Sequence, residues 1–200
     1  MSKRKILIIV SCIYLAIAAI GILPAIYTTR ETVTDTDVPK EYFIDTADDP
    51  IEEQFPNRNA ACAAAYVMRY CGDPVQGNVI YADIDSYMGT TLPSNLVRYF
   101  YDNGYRAKAY HGDLSTLKTR LNEGVPIIVC LRDENKTHYA VLTGYDETHL
   151  YLADPKSENA NADNKNYNRI IENEEFIAIW KSGFPISDNV YIVAEKSAEP

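Results

Sequence analysis

The run Asn59-Ala60-Ala61-Cys62-Ala63-Ala64-Ala65-Tyr66-Val67-Met68-Arg69-Tyr70-Cys71 constrains the fold more than any other part of this chain. Ala is the best helix former, Asn59 can act as N-cap, and Gly72 follows where helices commonly close. The run therefore predicts a helix. Its side chains are small or apolar on nearly all sides, so it offers no broad polar face to water. A helix of that kind is stable only when packed closely on its neighbours, and the rest of the domain has to be built around it.

A second helix is predicted from Pro93 to Asn103, with Pro93 in its first turn and Gly104 ending it. Tyr105 to Tyr110 reads as a strand, and Leu114 to Asn122 as a short amphipathic helix closed by Gly124. Three strands follow, Pro126 to Arg132, His138 to Gly144 and Thr148 to Asp154, the last two forming a hairpin around Tyr145-Asp146-Glu147. Glu158 to Asn168 is rich in Asn, Asp and Lys and reads as a solvated loop, without the spacing or glycine of a calcium loop. Glu172 to Lys181 reads as a helix and Val190 to Glu195 as a final strand. Helices early and strands late give an α+β fold with a mostly antiparallel sheet.

The amino-terminal end is different in kind. Ile6 to Tyr27 contains no charged residue and follows Lys3, Arg4 and Lys5. As a helix this run is roughly 30 Å long, enough for a bilayer core. It predicts one transmembrane anchor, with residues 1–5 cytoplasmic and the rest extracytoplasmic. A cleaved signal ending at Ala16-Ile17-Ala18 and a lipoprotein box at Ile9-Val10-Ser11-Cys12 are the alternatives. Thr28 to Pro50, rich in Thr and Asp, reads as a linker, residues 51–196 as the folded domain, and residues 197–200 as a tail.

The formal net charge is -9, and the three basic residues before the apolar run leave -12 for the remainder. A domain that acidic repels phosphate backbones, which excludes nucleic-acid partners. Of the four cysteines, Cys12 lies in the apolar run, and Cys62, Cys71 and Cys130 show neither a CxxC nor a metal-site spacing. Cys62 and Cys71, on one helix, are about 13 Å apart and beyond disulfide reach. No cofactor or metal is expected.

Three segments together carry a family resemblance. They are Gln54-Phe55-Pro56-Asn57-Arg58-Asn59 entering the Ala-rich helix, Leu121-Asn122-Glu123-Gly124-Val125-Pro126-Ile127-Ile128-Val129, and His138-Tyr139-Ala140-Val141-Leu142-Thr143-Gly144-Tyr145-Asp146 with Leu150 to Pro155 behind it. Across about Ile51 to Val193 the chain resembles cysteine peptidase family 39, the bacteriocin-processing double-glycine leader peptidases and their single-domain relatives. The resemblance implies a papain-like fold. It also implies a site in which a cysteine at the start of the buried helix attacks an amide, a strand histidine takes the proton, a carboxylate orients that histidine, and a glutamine donates to the oxyanion. It assigns His138 to the base, Asp154 to the orienting carboxylate and Gln54 to the oxyanion donor.

This chain departs from the pattern at the nucleophile. Aligned on Gln54, Pro56 and Gly72, that position falls on Asn59, and a carboxamide cannot form an acyl-enzyme. Cys62 is one turn further on, about 4.5 Å along the axis and roughly 60° around it, a larger error than catalytic geometry tolerates. Three functions follow. One is an inactive pseudopeptidase, anchored in the membrane, that binds a peptide or protein segment. Another is an active cysteine peptidase using Cys62 with His138 and Asp154. The third is a non-catalytic surface or structural module.

Overall fold

The computed structural model describes residues 4–13, 28–32, 38–46, 51–53, 58–84, 91–133, 136–181 and 187–197. Residues 4–13 are helical (α1). Among the described residues no helix is long and apolar enough to cross a membrane, and residues 14–27, the larger part of the apolar run, lie outside them.

The domain is organised around one sheet. Its strands are β1 (Thr29–Arg30), β2 (Tyr42–Phe43), β3 (Tyr105–His111), β4 (Ile127–Asp133), β5 (Lys136–Tyr145), β6 (His149–Ala153), β7 (Arg169–Glu172) and β8 (Val190–Lys196). Their order is β1-β3-β8-β4-β5-β6-β7, with β2 paired to β5. Every pairing is antiparallel except the parallel contact of β1 with β3. The helices are α2 (Asn59–Tyr70), α3 (Gly77–Asp83), α4 (Pro93–Asp102), α5 (Leu114–Asn122) and α6 (Asn173–Lys181).

The two faces of the sheet are covered by different helices. In β4, Ile128 and Cys130 point into a core shared with α2 and α4. Ile127, Val129 and Leu131 point to the other face, against Leu117 and Leu121 of α5 and Phe176 and Trp180 of α6. A strand covered on both faces has no solvent side, so it reads as an unbroken apolar run instead of an alternation. Burial of α2 follows from its composition: Ala60 to Met68 are all buried, none more than 6% exposed. Its first residue is Asn59, and Arg58 is the cap, with no side-chain capping bond, so Asn59 is not the N-cap. Gly72 follows the helix with φ +91°, a left-handed conformation that favours glycine.

The segment from Thr28 to Pro50 is not simply a linker. It supplies β1 and β2, and Glu31 accepts hydrogen bonds from Arg120 and from the hydroxyl of Tyr191. Its Thr and Asp content masks strands only two residues long, too short to leave a period. The chain also holds α3 and β7 in stretches where no element was expected.

Candidate active site

The start of α2 and the upper part of β5 meet at Asn59. Pairing of β6 with β5 reaches only to Val141↔Ala153, so among the described residues the edge of β5 nearer His138 has no strand neighbour on that side. There the backbone N–H of Tyr139 donates to Asn59 Oδ1 at 3.0 Å. An unpartnered N–H in this interior position would cost about 1–3 kcal/mol. The carboxamide thus sits beside His138 and ties the helix to the strand.

His138 and Asp154 are brought together by the β5–β6 hairpin. His138 Nε2 donates to Asp154 Oδ1 at 2.6 Å, and both side chains are buried, at 4% and 0% exposure. The same oxygen accepts the backbone N–H of Lys156 at 2.9 Å. The other oxygen, Oδ2, accepts from Arg169 Nη1 at 2.9 Å and Asn159 Nδ2 at 3.1 Å. Asn168 completes the setting: its Oδ1 accepts the Asp154 N–H and its Nδ2 donates to the Asp154 carbonyl, both at 2.8 Å. Burial pushes the Asp154 carboxyl up, but the hydrogen bond and charge of His138, with the Lys156 and Asn159 donors, outweigh it and hold it below the usual carboxylate value.

Cys62 points elsewhere. A Cβ added to Gly77 of α3 would lie 2.9 Å from both Cα and Sγ of Cys62, so this thiol is pressed against the α3 backbone. Burial, and then the charge of Glu52, push it up to about 11. A thiol in that setting is a poor nucleophile. Gln54 lies outside the described residues. Cys130, buried in the sheet, is pushed up to about 12 by burial.

The Thr143-Gly144-Tyr145-Asp146 segment shapes the hairpin. The β5–β6 register shifts between Leu142 and Gly144, and at the shift Thr143 offers its carbonyl to Ile44 N–H at 2.9 Å. Gly144 lies under the ring of Phe43, where a Cβ would come within 2.3 Å of a ring carbon. Asp146 Oδ1 accepts the N–H groups of Thr148 and His149, and Oδ2 accepts the Tyr151 hydroxyl at 2.6 Å, which closes the turn.

Sequence reasoning missed Arg169, Asn159 and Asn168. All three border or lie in the stretch read as a solvated loop, yet they converge on Asp154. The available signal was Arg169 itself, next to the apolar pair Ile170-Ile171 and so at the entry of a strand.

The fold, with a buried His–Asp pair beside the start of an Ala-rich helix, is that of the papain-like cysteine peptidases. Within that class the chain belongs to the Peptidase_C39 like family, which residues 26–183 match. Solved structures agree on the fold. The peptidase domain of Streptococcus ComA, a bi-functional ABC transporter involved in a quorum-sensing pathway, aligns with a TM-score of 0.59 at 18% identity, over 73% of this chain and 97% of that one. A double-glycine motif protease from an AMS/PCAT transporter, in complex with its leader peptide, aligns at 0.56 and 18%, over 74% and 91%. A protein described as a C39-like peptidase from Bacillus anthracis aligns at 0.57 and 15%, over 78% and 98%. No curated protein matches this chain.

Proposed function

We propose that this chain is a membrane-anchored, extracytoplasmic pseudopeptidase of the C39-like family that binds a peptide or protein segment at the former catalytic site. The observation that carries the reading is the hydrogen bond from Tyr139 N–H to Asn59 Oδ1. The residue aligned with the nucleophile is a carboxamide, and it has a structural task beside a His138–Asp154 pair that keeps its close contact. Peptide binding is supported by a fold relative whose structure holds a leader peptide. The anchor rests on the uncharged run from Ile6 to Tyr27 behind three basic residues. The active-peptidase alternative needs Cys62, and its position against Gly77 and its raised thiol value argue against that role.

The test is direct. The full chain is incubated with peptides carrying small-residue cleavage sites, and both turnover and binding are measured. The reading expects no turnover, with binding weakened by His138→Ala. Turnover abolished by Cys62→Ala would establish the enzyme instead, and the absence of both turnover and binding would leave a structural module. Carbonate washing of membranes tests the anchor: a protein released into the wash is not embedded through this run.

A further inference from the structure

Asn59 uses only one side of its carboxamide. A backbone N–H has to meet an oxygen, so the Tyr139 contact fixes Oδ1 toward β5 and turns the two donors of Nδ2 the other way. Those donors have no partner among the described residues. His138 is left in a similar state. Its Nε2 is committed to Asp154 and its side chain is only 4% exposed, yet Nδ1 has no partner among the described residues. Where a carboxylate holds an imidazole, the other ring nitrogen faces the nucleophile position, which on the reading above is residue 59.

The helix adds donors at the same place. α2 has no side-chain cap and no acidic residue in its first turn, and the N–H of Cys62 donates to the Arg58 carbonyl. The N–H groups of Asn59, Ala60 and Ala61 come before that bond, at the positive end of the helix dipole, and have no helical acceptor. Charge balance then selects the ligand. Asp154 and Arg169 form a buried neutral pair at 2.9 Å. In an active cysteine peptidase a thiolate balances the imidazolium, but Asn59 carries no charge. A ligand carboxylate would replace it: Asp154, Arg169, a protonated His138 and a carboxylate sum to zero. The other groups around His138 supply no such anion. Leu131 lies opposite it on β4, Lys156 presents its backbone N–H to Asp154, and Cys62 is pressed against α3. Glu52 is engaged by Arg69 and the Gly77 N–H, and Arg58 lies over the Tyr81 ring, 4.4 Å from its centroid.

We propose that the site between Asn59 and His138 binds a carboxylate, and that its ligand is a peptide segment ending there with a free carboxyl terminus. In an acyl-transfer site the group brought to the nucleophile is a main-chain carbonyl, so a main-chain carboxylate, not an Asp or Glu side chain, reaches this position. The inference rests on the pseudopeptidase reading and names the end of the peptide that is recognised. Binding places one proton on His138 Nδ1, so it tightens as the pH falls.

The experiment measures fluorescence anisotropy of a peptide ending in Ala-Gly and labelled at its amino end, added to the full chain. Three forms are compared: the free acid, the carboxyl-terminal amide, and an amide ending in Asp. The free acid should bind at least about tenfold more tightly than the amide, since it alone accepts charge-assisted hydrogen bonds at its end. Its affinity should rise by up to about tenfold per pH unit from pH 8 toward 6, the limit for one linked proton. His138→Gln should remove the pH dependence and the preference for the acid. Asn59→Asp keeps an acceptor for the Tyr139 N–H but replaces the Nδ2 donors with negative charge, so it too should remove the preference while remaining folded. Equal binding of acid and amide would overturn this inference and leave the pseudopeptidase reading in place, as would a preference that survives Asn59→Asp. An Asp-terminated amide that binds as well as the free acid would overturn the assignment to a chain end. Peptide turnover by the unaltered chain would overturn the pseudopeptidase reading instead, and no binding of any form would overturn both.

Discussion

Asn59 Oδ1 and the backbone N–H of Tyr139 lie 3.0 Å apart, joining the first residue of the Ala-rich helix to the strand residue that follows His138. The contact gives the carboxamide a role that a thiol fills poorly, since sulfur is a weak acceptor. Asn59 is thus a structural cross-link between the helix and the strand that carries His138.

The first prediction concerns that link. Asn59→Ala leaves the Tyr139 N–H without its acceptor and should lower stability by about 1–3 kcal/mol. Asn59→Asp keeps an acceptor at a helix N-terminus, where negative charge is favourable, and should be closer to wild type. Urea denaturation measures both. An Asn59→Ala protein as stable as wild type would mean that the N–H finds another partner.

Acid should unfold the domain through particular carboxylates. Asp154 is held low because the donors around it outweigh its burial, and Glu31 because Arg120 and Tyr191 outweigh its own. Asp73 is lowered by Lys196 and then by Tyr105. Each folded value lies below the unfolded one, so each contributes stability that is complete above about pH 4–4.5 and is lost as pH falls through the folded value. Asp154→Asn should flatten this dependence below pH 4 and be markedly less stable at pH 7, where breaking a buried charge pair costs about 3–5 kcal/mol. Denaturation curves collected from pH 2 to 7 give both results. An unchanged acid limb would exclude Asp154 as a contributor.

Cys62 should resist labelling. Its thiol is pushed up to about 11 by burial and by Glu52, and it is wedged against Gly77. In the native protein at pH 7 it should react with iodoacetamide far more slowly than in urea. Gly77→Ala would place a Cβ 2.9 Å from the Cα as well as the Sγ of Cys62. Overpacking of this kind costs about 1–3 kcal/mol. Adding Cys62→Ala relieves only the sulfur contact, so it should recover part of the loss. Full recovery would show that the backbones can separate.

How much of this was legible in the sequence depended on the physical origin of each feature. The central helix and the β4, β5, β6 and β8 strands were readable because buried elements need apolar runs of definite length, closed here by Gly72, Gly124 and the Asp146 turn. The His138–Asp154 pair was readable because a hairpin sets its two ends side by side. Asn59 was misjudged as a cap, since a side chain that suits a cap equally suits an acceptor for a distant strand. The Asn-rich stretch before Arg169 was read as solvated because composition reports polarity, not the partner. Asn159 and Asn168 spend that polarity on Asp154 and Asn166 on the Thr46 hydroxyl, while the Asn166 backbone carbonyl accepts from the Tyr66 hydroxyl. The short strands of residues 28–46 were hidden because two residues carry no period.

The last prediction tests whether that first segment belongs to the domain. Thr28 Oγ1 lies 3.0 Å from His111 Nδ1 and 3.1 Å from Ser187 Oγ, and Glu31 N–H donates to the His111 carbonyl at 2.9 Å. The Glu31 carboxylate meets Arg120 and Tyr191 with its side chain 18% exposed, so these are partly desolvated charges and not a loose surface pair. Such a pair contributes more than the about 0–1 kcal/mol of an exposed one, because removing one partner strands the other. Glu31→Ala should therefore lower stability by about 1–3 kcal/mol, with Glu31→Gln retaining part of the hydrogen bonding. A chain beginning at Thr28 should melt about 3–10 °C above one beginning at Val38, given the usual temperature shift per kcal/mol for a domain of this size. Thermal melts of the two chains and the two variants decide the matter. Equal melting temperatures would mean that residues 28–32 add nothing to the domain, while the expected gap would make them the first edge of the sheet.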